Sequence, residues 1–462
     1  MRSPTGAEPR AVRAFGEAVL GTRVVTGEHV VEVPLDHTEP AGERIEVFAR
    51  EVRAPDLADA DQPYLLFLQG GPGGRSPRPG GDAPGWLGWA LRRYRVLLLD
   101  QRGTGRSTPQ DRHTLAGLTP AQQADRLALF RADAIVADAE VLRRHLSGDA
   151  PWAVLGQSFG GFCTWTYLSF APEGLTAGYV TGGVPPVGVH PDDVYRATRR
   201  AVDRRTAELD ADHPQARAVL ADVARHLLGG AQEHLPTGER LTVTRLQEVG
   251  QVLGTGPGPD VLAQLAEDAW AAPGRLSDTF LAAVAAQVSY ATNPLYALVH
   301  EACYGEPGVV TGWSSQRVRE ELGVAAGPVL EADGVERLPL TGENVHPSSV
   351  TADPALAPLA AAADLLAART WDHPLYDPTR LARNVVPVAA CVYARDMYVD
   401  PALSRATAAA TGAVTVVEDP ARHHDGLRRS GPEVLSVLET ALLEVAPDAV
   451  APAAPEREGA AA

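Results

Sequence analysis

The run Trp152-Ala153-Val154-Leu155-Gly156-Gln157-Ser158-Phe159-Gly160-Gly161 decides how this chain folds. Its first four residues are apolar and read as a buried strand, and residues 159–170 read as the helix that follows. Between them, Gly156-Gln157-Ser158-Phe159-Gly160 places a serine on a sharp strand-to-helix turn in the G-x-S-x-G pattern. So tight a turn requires small flanking residues, which accounts for Gly156 and Gly160, and it lifts the serine hydroxyl clear of the backbone. The helix N-terminus beneath carries partial positive charge, useful beside a developing oxyanion. Ser158 is therefore the candidate nucleophile. The competing interpretation is a glycine-rich turn with an incidental serine.

Outward from this run the chain alternates strand and helix. Residues 24–33 and 45–52 read as a paired N-terminal ribbon. Residues 64–68 and 96–99 are short apolar runs ending in turn formers, as buried parallel strands do. The spacing predicts one helix over 120–146, with Ile135, Val136, Leu142 and Leu146 near one face, and a further strand over 179–181. Such alternation implies a mostly parallel, doubly wound sheet with right-handed crossovers. From about 186 to 379 the pattern becomes rich in Ala, Leu, Arg and Glu at helical spacing, broken by Gly and Pro as at 254–259. Strands resume at 386–393 and 413–417, and a helix follows at 432–445. The expected organisation is an α/β core over 1–185 and 380–446, a mostly helical inserted cap over 186–379, and a disordered Ala-, Pro- and Glu-rich tail over 447–462.

Bulk properties bound the partners. A chain of 462 residues suits one core with a large insertion. The formal net charge of −17 argues against nucleic acid, which needs clustered Lys and Arg. Cys163, Cys303 and Cys391 are far apart and odd in number, so neither a disulfide framework nor a metal site is expected. Residues 1–21 show no apolar signal core, and no run approaches about 18 apolar residues. A soluble cytoplasmic protein with no membrane association and no cofactor is the expectation.

A serine hydroxyl is a weak nucleophile and needs a base, which in turn needs an orienting acid. On this kind of sheet the order along the chain is serine, acid, histidine. Asp396 lies just beyond strand 386–393 and is the preferred acid, with Asp400 as the fallback. His423 and His424 are adjacent in the loop before the last helix, and spacing does not choose between them. One oxyanion donor is expected from Phe159 N–H. The other is expected from the loop Gln69-Gly70-Gly71-Pro72-Gly73-Gly74, with Gly71 the chosen donor. That loop lacks the Lys-Ser/Thr ending of a phosphate-binding loop.

Four segments together resemble the proline iminopeptidase (prolyl aminopeptidase) family of α/β-hydrolases, nearest its larger, long-capped members. They are Leu68-Gln69-Gly70-Gly71-Pro72-Gly73, Asp100-Gln101-Arg102-Gly103-Thr104-Gly105-Arg106-Ser107, the Ser158 elbow, and His424-Asp425-Gly426-Leu427-Arg428. The resemblance implies the α/β-hydrolase fold, His424 as base and Asp396 as acid. It implies a structural part for Arg102, bracing the oxyanion loop or meeting a carboxylate or carbonyl. It further implies that Glu301 and Glu343 clamp the free N-terminal amine of a short peptide, with Trp313 a candidate for the pocket wall. Asn344-Val345-His346-Pro347-Ser348-Ser349 departs from the bulky apolar residues the family carries there, which points to a wider or more polar pocket if the segment meets substrate. The expected activity is release of an N-terminal residue, preferably proline, from short peptides. The alternatives are an esterase or amidase for a small acyl compound, and a catalytically silent binding protein.

Overall fold

The computed structural model describes residues 24–79 and 85–454, together with the backbone of strand β1 (Ala18–Val19). The ribbon comes first: β2 (Val25–Pro34) and β3 (Arg44–Arg53) pair antiparallel along their whole length, Val25 opposite Arg53 and Pro34 opposite Arg44. Then come β4 (Tyr64–Leu68), α1 (Trp86–Leu91), β5 (Arg95–Asp100), α2 (Pro120–Leu127), α3 (Ala132–Ser147), β6 (Trp152–Gln157), α4 (Phe159–Phe170) and β7 (Leu175–Thr181). The helical insertion follows. It holds α5 (Pro191–Asp212), α6 (Ala216–Leu228), α7 (Val243–Gln247) and α8 (Gly258–Glu267), then a small hairpin of β8 (Trp270–Ala272) and β9 (Arg275–Leu276). It continues with α9 (Asp278–Val288), α10 (Pro294–Val299) and α11 (Ser314–Glu321), a second hairpin of β10 (Val329–Leu330) and β11 (Glu336–Arg337), and α12 (Pro347–Ala352), α13 (Ala360–Ala367) and α14 (Pro378–Ala382). The core resumes with β12 (Val388–Tyr393), α15 (Pro401–Ala409), β13 (Val414–Asp419) and α16 (Gly426–Val445).

Among the described residues nine strands form one sheet in the order β1-β2-β3-β5-β4-β6-β7-β12-β13. The stretch from β5 to β13 is parallel throughout, and the ribbon joins it antiparallel through β3 and β5. This register assembles the site. Leu68 lies beside Gly156, so the loop after β4 emerges next to the Ser158 turn. Tyr393 lies beside Asp419, so the loops after β12 and β13 leave the same edge of the sheet. Active sites of open α/β sheets gather at these carboxyl ends.

The structure departs from the expected elements in three places. The helix expected over 120–146 is two helices, α2 and α3. Arg102 Nη1 takes the Leu129 carbonyl at 2.8 Å, and Arg131 is extended with φ −93° and ψ 177°. The helix expected from 432 begins six residues earlier, with a kink at Ser430 ahead of Pro432, which has no N–H to give the helix. Residues 447–454, expected within a disordered tail, are ordered. Val450 packs in the cluster that contains Leu442, and Ala454 N–H donates to Arg92 O at 2.8 Å. The rest of that tail lies outside the described residues.

Burial ties the insertion to the sheet. One apolar cluster runs from Leu66 and Val154 through Phe159 and Phe162 to Leu295 and Val345 of the insertion. A second cluster, around Leu220, Leu246 and Phe280, belongs to the insertion and also takes in Met397 from the loop after β12. The three cysteines are buried and unpaired. Among the described residues no helix is long and apolar enough to cross a membrane.

Candidate active site

Ser158 sits between β6 and α4 with φ 55° and ψ −125°, a backbone conformation rare for residues other than glycine. The neighbours show why the turn needs glycine. A Cβ at Gly156 would lie 2.5 Å from Thr164 Oγ1, and one at Gly160 would lie 1.9 Å from Leu68 O. Strain held at one side chain by this much surrounding structure is typical of a functional position. Phe159, as the first residue of α4, has an N–H without an intrahelical acceptor.

The glycine loop lies against this turn. A Cβ on Gly70 would stand 2.8 Å from Ser158 Cβ, so the chain from Gln69 to Gly71 passes directly over the serine. Residues of the Asp100 segment hold the loop. Gln101 Nε2 donates to Gln69 O at 2.9 Å, and Asp100 accepts from Ser76 N–H at 3.1 Å, Arg106 N–H at 2.9 Å and Arg78 at 2.9 Å. Arg102 does not reach the loop. It pairs with Asp138 through two bonds of 2.7 and 2.6 Å and donates to the carbonyls of Pro34, Leu35 and Leu129, joining β2, α3 and the α2–α3 break. Arg102 thus makes the carboxylate and carbonyl contacts that were one of its two expected parts, and Gln101 performs the loop bracing that was the other.

The two histidines separate cleanly. His424 Nδ1 lies 2.8 Å from Asp396 Oδ2 and 3.1 Å from Oδ1. His424 Nε2 lies 3.5 Å from the side-chain nitrogen of Gln157, the residue before Ser158. His423 has an Nδ1 without a hydrogen-bond partner among the described residues and feels Arg205 and Arg395 instead. Asp396 also accepts the N–H groups of Tyr398 and Val399 at 2.9 and 3.0 Å, which fixes the carboxylate. Asp400 caps α15 through Ala402 and Leu403 N–H and stands outside this arrangement. Burial disfavours a charged His424, but Asp396, aided by Glu343, outweighs it and raises the imidazole above its ordinary value.

The insertion brings carboxylates to the same place. Glu343 interacts electrostatically with both His424 and Asp396, and its Oε1 accepts the Tyr296 hydroxyl at 2.8 Å. Burial pushes its carboxyl up to about 7 against the pull of His424. Tyr296 in turn accepts from Gln251 Nε2 at 2.8 Å, and Gln251 O accepts the Tyr398 hydroxyl at 2.6 Å. The Tyr398 ring meets His424 edge-on at 4.7 Å. None of Tyr296, Tyr398 and Gln251 was assigned a role from the sequence.

Glu301 is 6% exposed, and its two oxygens accept Ser314 and Ser315 N–H at 3.0 and 2.9 Å, at the start of α11. Burial raises its carboxyl, opposed by those two bonds. Glu301 and Glu343 both act on Tyr195 and Cys303, so they share one neighbourhood. Trp313 precedes α11 and donates its indole N–H to Asp364 at 2.9 Å. The departing segment 344–349 turns into the insertion: Ser349 Oγ donates to Glu248 at 2.5 Å, and His346 is 1% exposed.

Ser158, Asp396 and His424 follow the chain order that a serine hydrolase of this sheet type uses, and His424 pairs with Asp396 at 2.8 Å beside the Ser158 turn. A sequence profile of the alpha/beta hydrolase fold matches residues 63–425. The chain is 45% identical over 414 residues to a proline iminopeptidase of Aeromonas sobria, covering 89% of this chain and 95% of that protein. It is 32% identical over 431 residues to a proline iminopeptidase of Aspergillus aculeatus, covering 89% of this chain and 92% of that one. A solved proline iminopeptidase of Mycobacterium smegmatis superposes with a TM-score of 0.41 at 16% identity, over 88% of this chain and 96% of its own, a likeness too distant to add weight. On the strength of the profile and the two long sequence matches, this chain belongs to the proline iminopeptidase family of α/β-hydrolases.

Proposed function

We propose that the protein is a serine aminopeptidase that releases an N-terminal residue, preferably proline, from short peptides. The observation that carries this reading is a Glu343 carboxylate placed beside the His424–Asp396 pair at the Ser158 turn. Among the described residues no Lys or Arg pairs with that buried carboxylate, and a substrate ammonium would supply a full cation.

In this reading the peptide amine pairs with Glu343, and Glu301 adds a second carboxylate through the lone pairs its α11 bonds leave free. His424 takes the Ser158 proton as Oγ attacks the first carbonyl carbon. Phe159 N–H and Gly71 N–H receive the oxyanion. The C–N bond breaks, His424 protonates the departing amine, and the shortened peptide leaves. Water then gives His424 a proton, attacks the acyl-enzyme and frees the amino acid, which restores Ser158. Asp396 holds the imidazole in the useful tautomer throughout. The location proposed is the cytoplasm, a compartment suited to three unpaired buried thiols. The oligomeric state is left open.

The test uses proline 2-naphthylamide, its N-acetylated form and a short nitrophenyl ester, each with Ser158→Ala alongside. Turnover of the free-amine amide but not the acetylated one, lost in Ser158→Ala, is the expected result. Ester cleavage without amide cleavage would move the substrate to a small acyl compound and remove the amine clamp.

A further inference from the structure

Gly342 and Asn344, the chain neighbours of Glu343, line a second small cavity together with Tyr195, Arg319 and His346. It leaves about 20 Å³ in which the centre of a water-sized body can sit, enough for one such occupant. Arg199, Ser315 and Thr341 in its wall have protein acceptors, but donors on three other lining side chains do not. Arg319 Nη1, the Tyr195 hydroxyl and both ring nitrogens of His346 are buried and find no hydrogen-bond partner among the described residues. Arg319 gives its Nη2 to Gln247 Oε1, an uncharged acceptor. The carboxylate that acts on it, Glu248, is already engaged by Arg245 and Ser349. Asn344 Oδ1, the carbonyl that could have served, is occupied by Gly342 N–H at 3.1 Å. Burial and the nearby Arg319 push the His346 imidazole down to about 3, so it is neutral and offers one N–H and one lone pair.

We propose that this cavity binds one small monovalent anion, a halide such as chloride, held by Arg319 Nη1, the Tyr195 hydroxyl and the N–H of His346. A halide accepts from all three donors and balances the Arg319 charge. A water molecule would accept two of them at most and leave the charge uncompensated.

The first experiment is bromide anomalous diffraction from crystals of the full chain grown in sodium bromide. The second compares thermal unfolding in sodium chloride, sodium bromide and sodium gluconate at equal ionic strength. An anomalous peak within hydrogen-bonding distance of Arg319 Nη1, with a saturable rise in Tm in halide over gluconate, is expected by linkage. Arg319→Met should abolish the halide-specific rise. Tyr195→Phe removes only one hydroxyl donor, so it remains interpretable if the first variant fails to fold, and it should weaken halide affinity about fivefold. An ordered water at this position in bromide-grown crystals, or equal Tm in halide and gluconate, would overturn the proposal. So would a halide effect unchanged in Tyr195→Phe.

Discussion

His424 and Glu343 set opposite demands on the same pH range. His424 must be neutral to accept the Ser158 proton, and Glu343 must be ionised to hold an ammonium. The imidazole is raised above its ordinary value and the carboxyl is pushed up to about 7. Lowering the pH through neutrality therefore disables both, and kcat/KM for proline 2-naphthylamide should fall on the acid side with a slope steeper than one group gives. In Glu343→Gln the steeper part should disappear and the single His424 limb remain. That variant should also lose about 30- to 1000-fold in kcat/KM for the free-amine substrate while turning over a nitrophenyl ester nearly as well as wild type. An equal loss on both substrates would place Glu343 outside amine binding. Asp396→Asn should lower kcat about ten-thousandfold on every substrate, because the imidazole then sits in the wrong tautomer. The strained Ser158 turn and the place of Asp396 beyond β12 were legible at this scale because each is fixed by the few residues around it, a glycine turn and a strand end. Spacing did not show which histidine meets Asp396, since adjacent loop residues differ only in which way the chain turns. Gln101 was passed over for the charged Arg102 beside it, whose true partners come from three distant segments.

Glu301 shows what an element does with a side chain that looks catalytic in one dimension. Its carboxylate receives both N–H groups at the start of α11, where the helix dipole favours negative charge. Glu301→Gln keeps one acceptor oxygen and puts an NH2 against the other N–H, so stability should fall by about 1–3 kcal/mol at acid pH, the deficit shrinking as pH rises because burial raises the wild-type carboxyl and its stabilising contribution is lost on that side. Glu343→Gln should behave in the opposite sense. The folded carboxyl titrates near 7 against an ordinary 4.5, so the folded state holds its proton longer than the unfolded one. That contribution is complete at low pH and is lost as pH rises through 7. The glutamine variant, with no charge to bury, should gain on wild type between pH 5 and pH 8, by about 2–3 kcal/mol at the top of the range. Urea unfolding of the two variants at both pH values distinguishes an N-terminal helix anchor from a carboxylate kept for a ligand. The elements themselves were largely visible in periodicity, and α4 was read to the residue. The α2–α3 break was invisible because nothing in the local pattern marks it. The Leu129 carbonyl is withdrawn from the helix by Arg102, a residue of another segment.

Across the whole molecule the insertion packs over the Ser158 turn and holds the loops that carry Asp396 and His424. The segment around Gln251 to Gly256 receives the Tyr398 hydroxyl at 2.6 Å and gives Gly256 N–H to Asp425 at 3.1 Å. Arg395, next to the acid, pairs with Glu208 of α5 at 2.7 Å. Ser158 and His424 are each 8% exposed and Asp396 is 2% exposed. A long or folded substrate could reach Ser158 only by parting these contacts together with the apolar cluster shared by α4, α10 and Val345. Parting them would expose large apolar side chains, at about 1.5–3 kcal/mol for each one fully uncovered. The kcat/KM for peptides with N-terminal proline should therefore be highest for di- and tripeptides and decline steeply with length, and a folded protein with an N-terminal proline should not be trimmed. A length series read by mass spectrometry measures this directly. Arg395→Ala with Tyr398→Phe, which removes two of the tethers and leaves Ser158, His424 and Asp396 in place, should flatten the decline by helping the longer peptides most. A flat series in the wild-type protein would mean that the insertion opens freely, and that the contacts joining it to the catalytic loops orient those loops without limiting access.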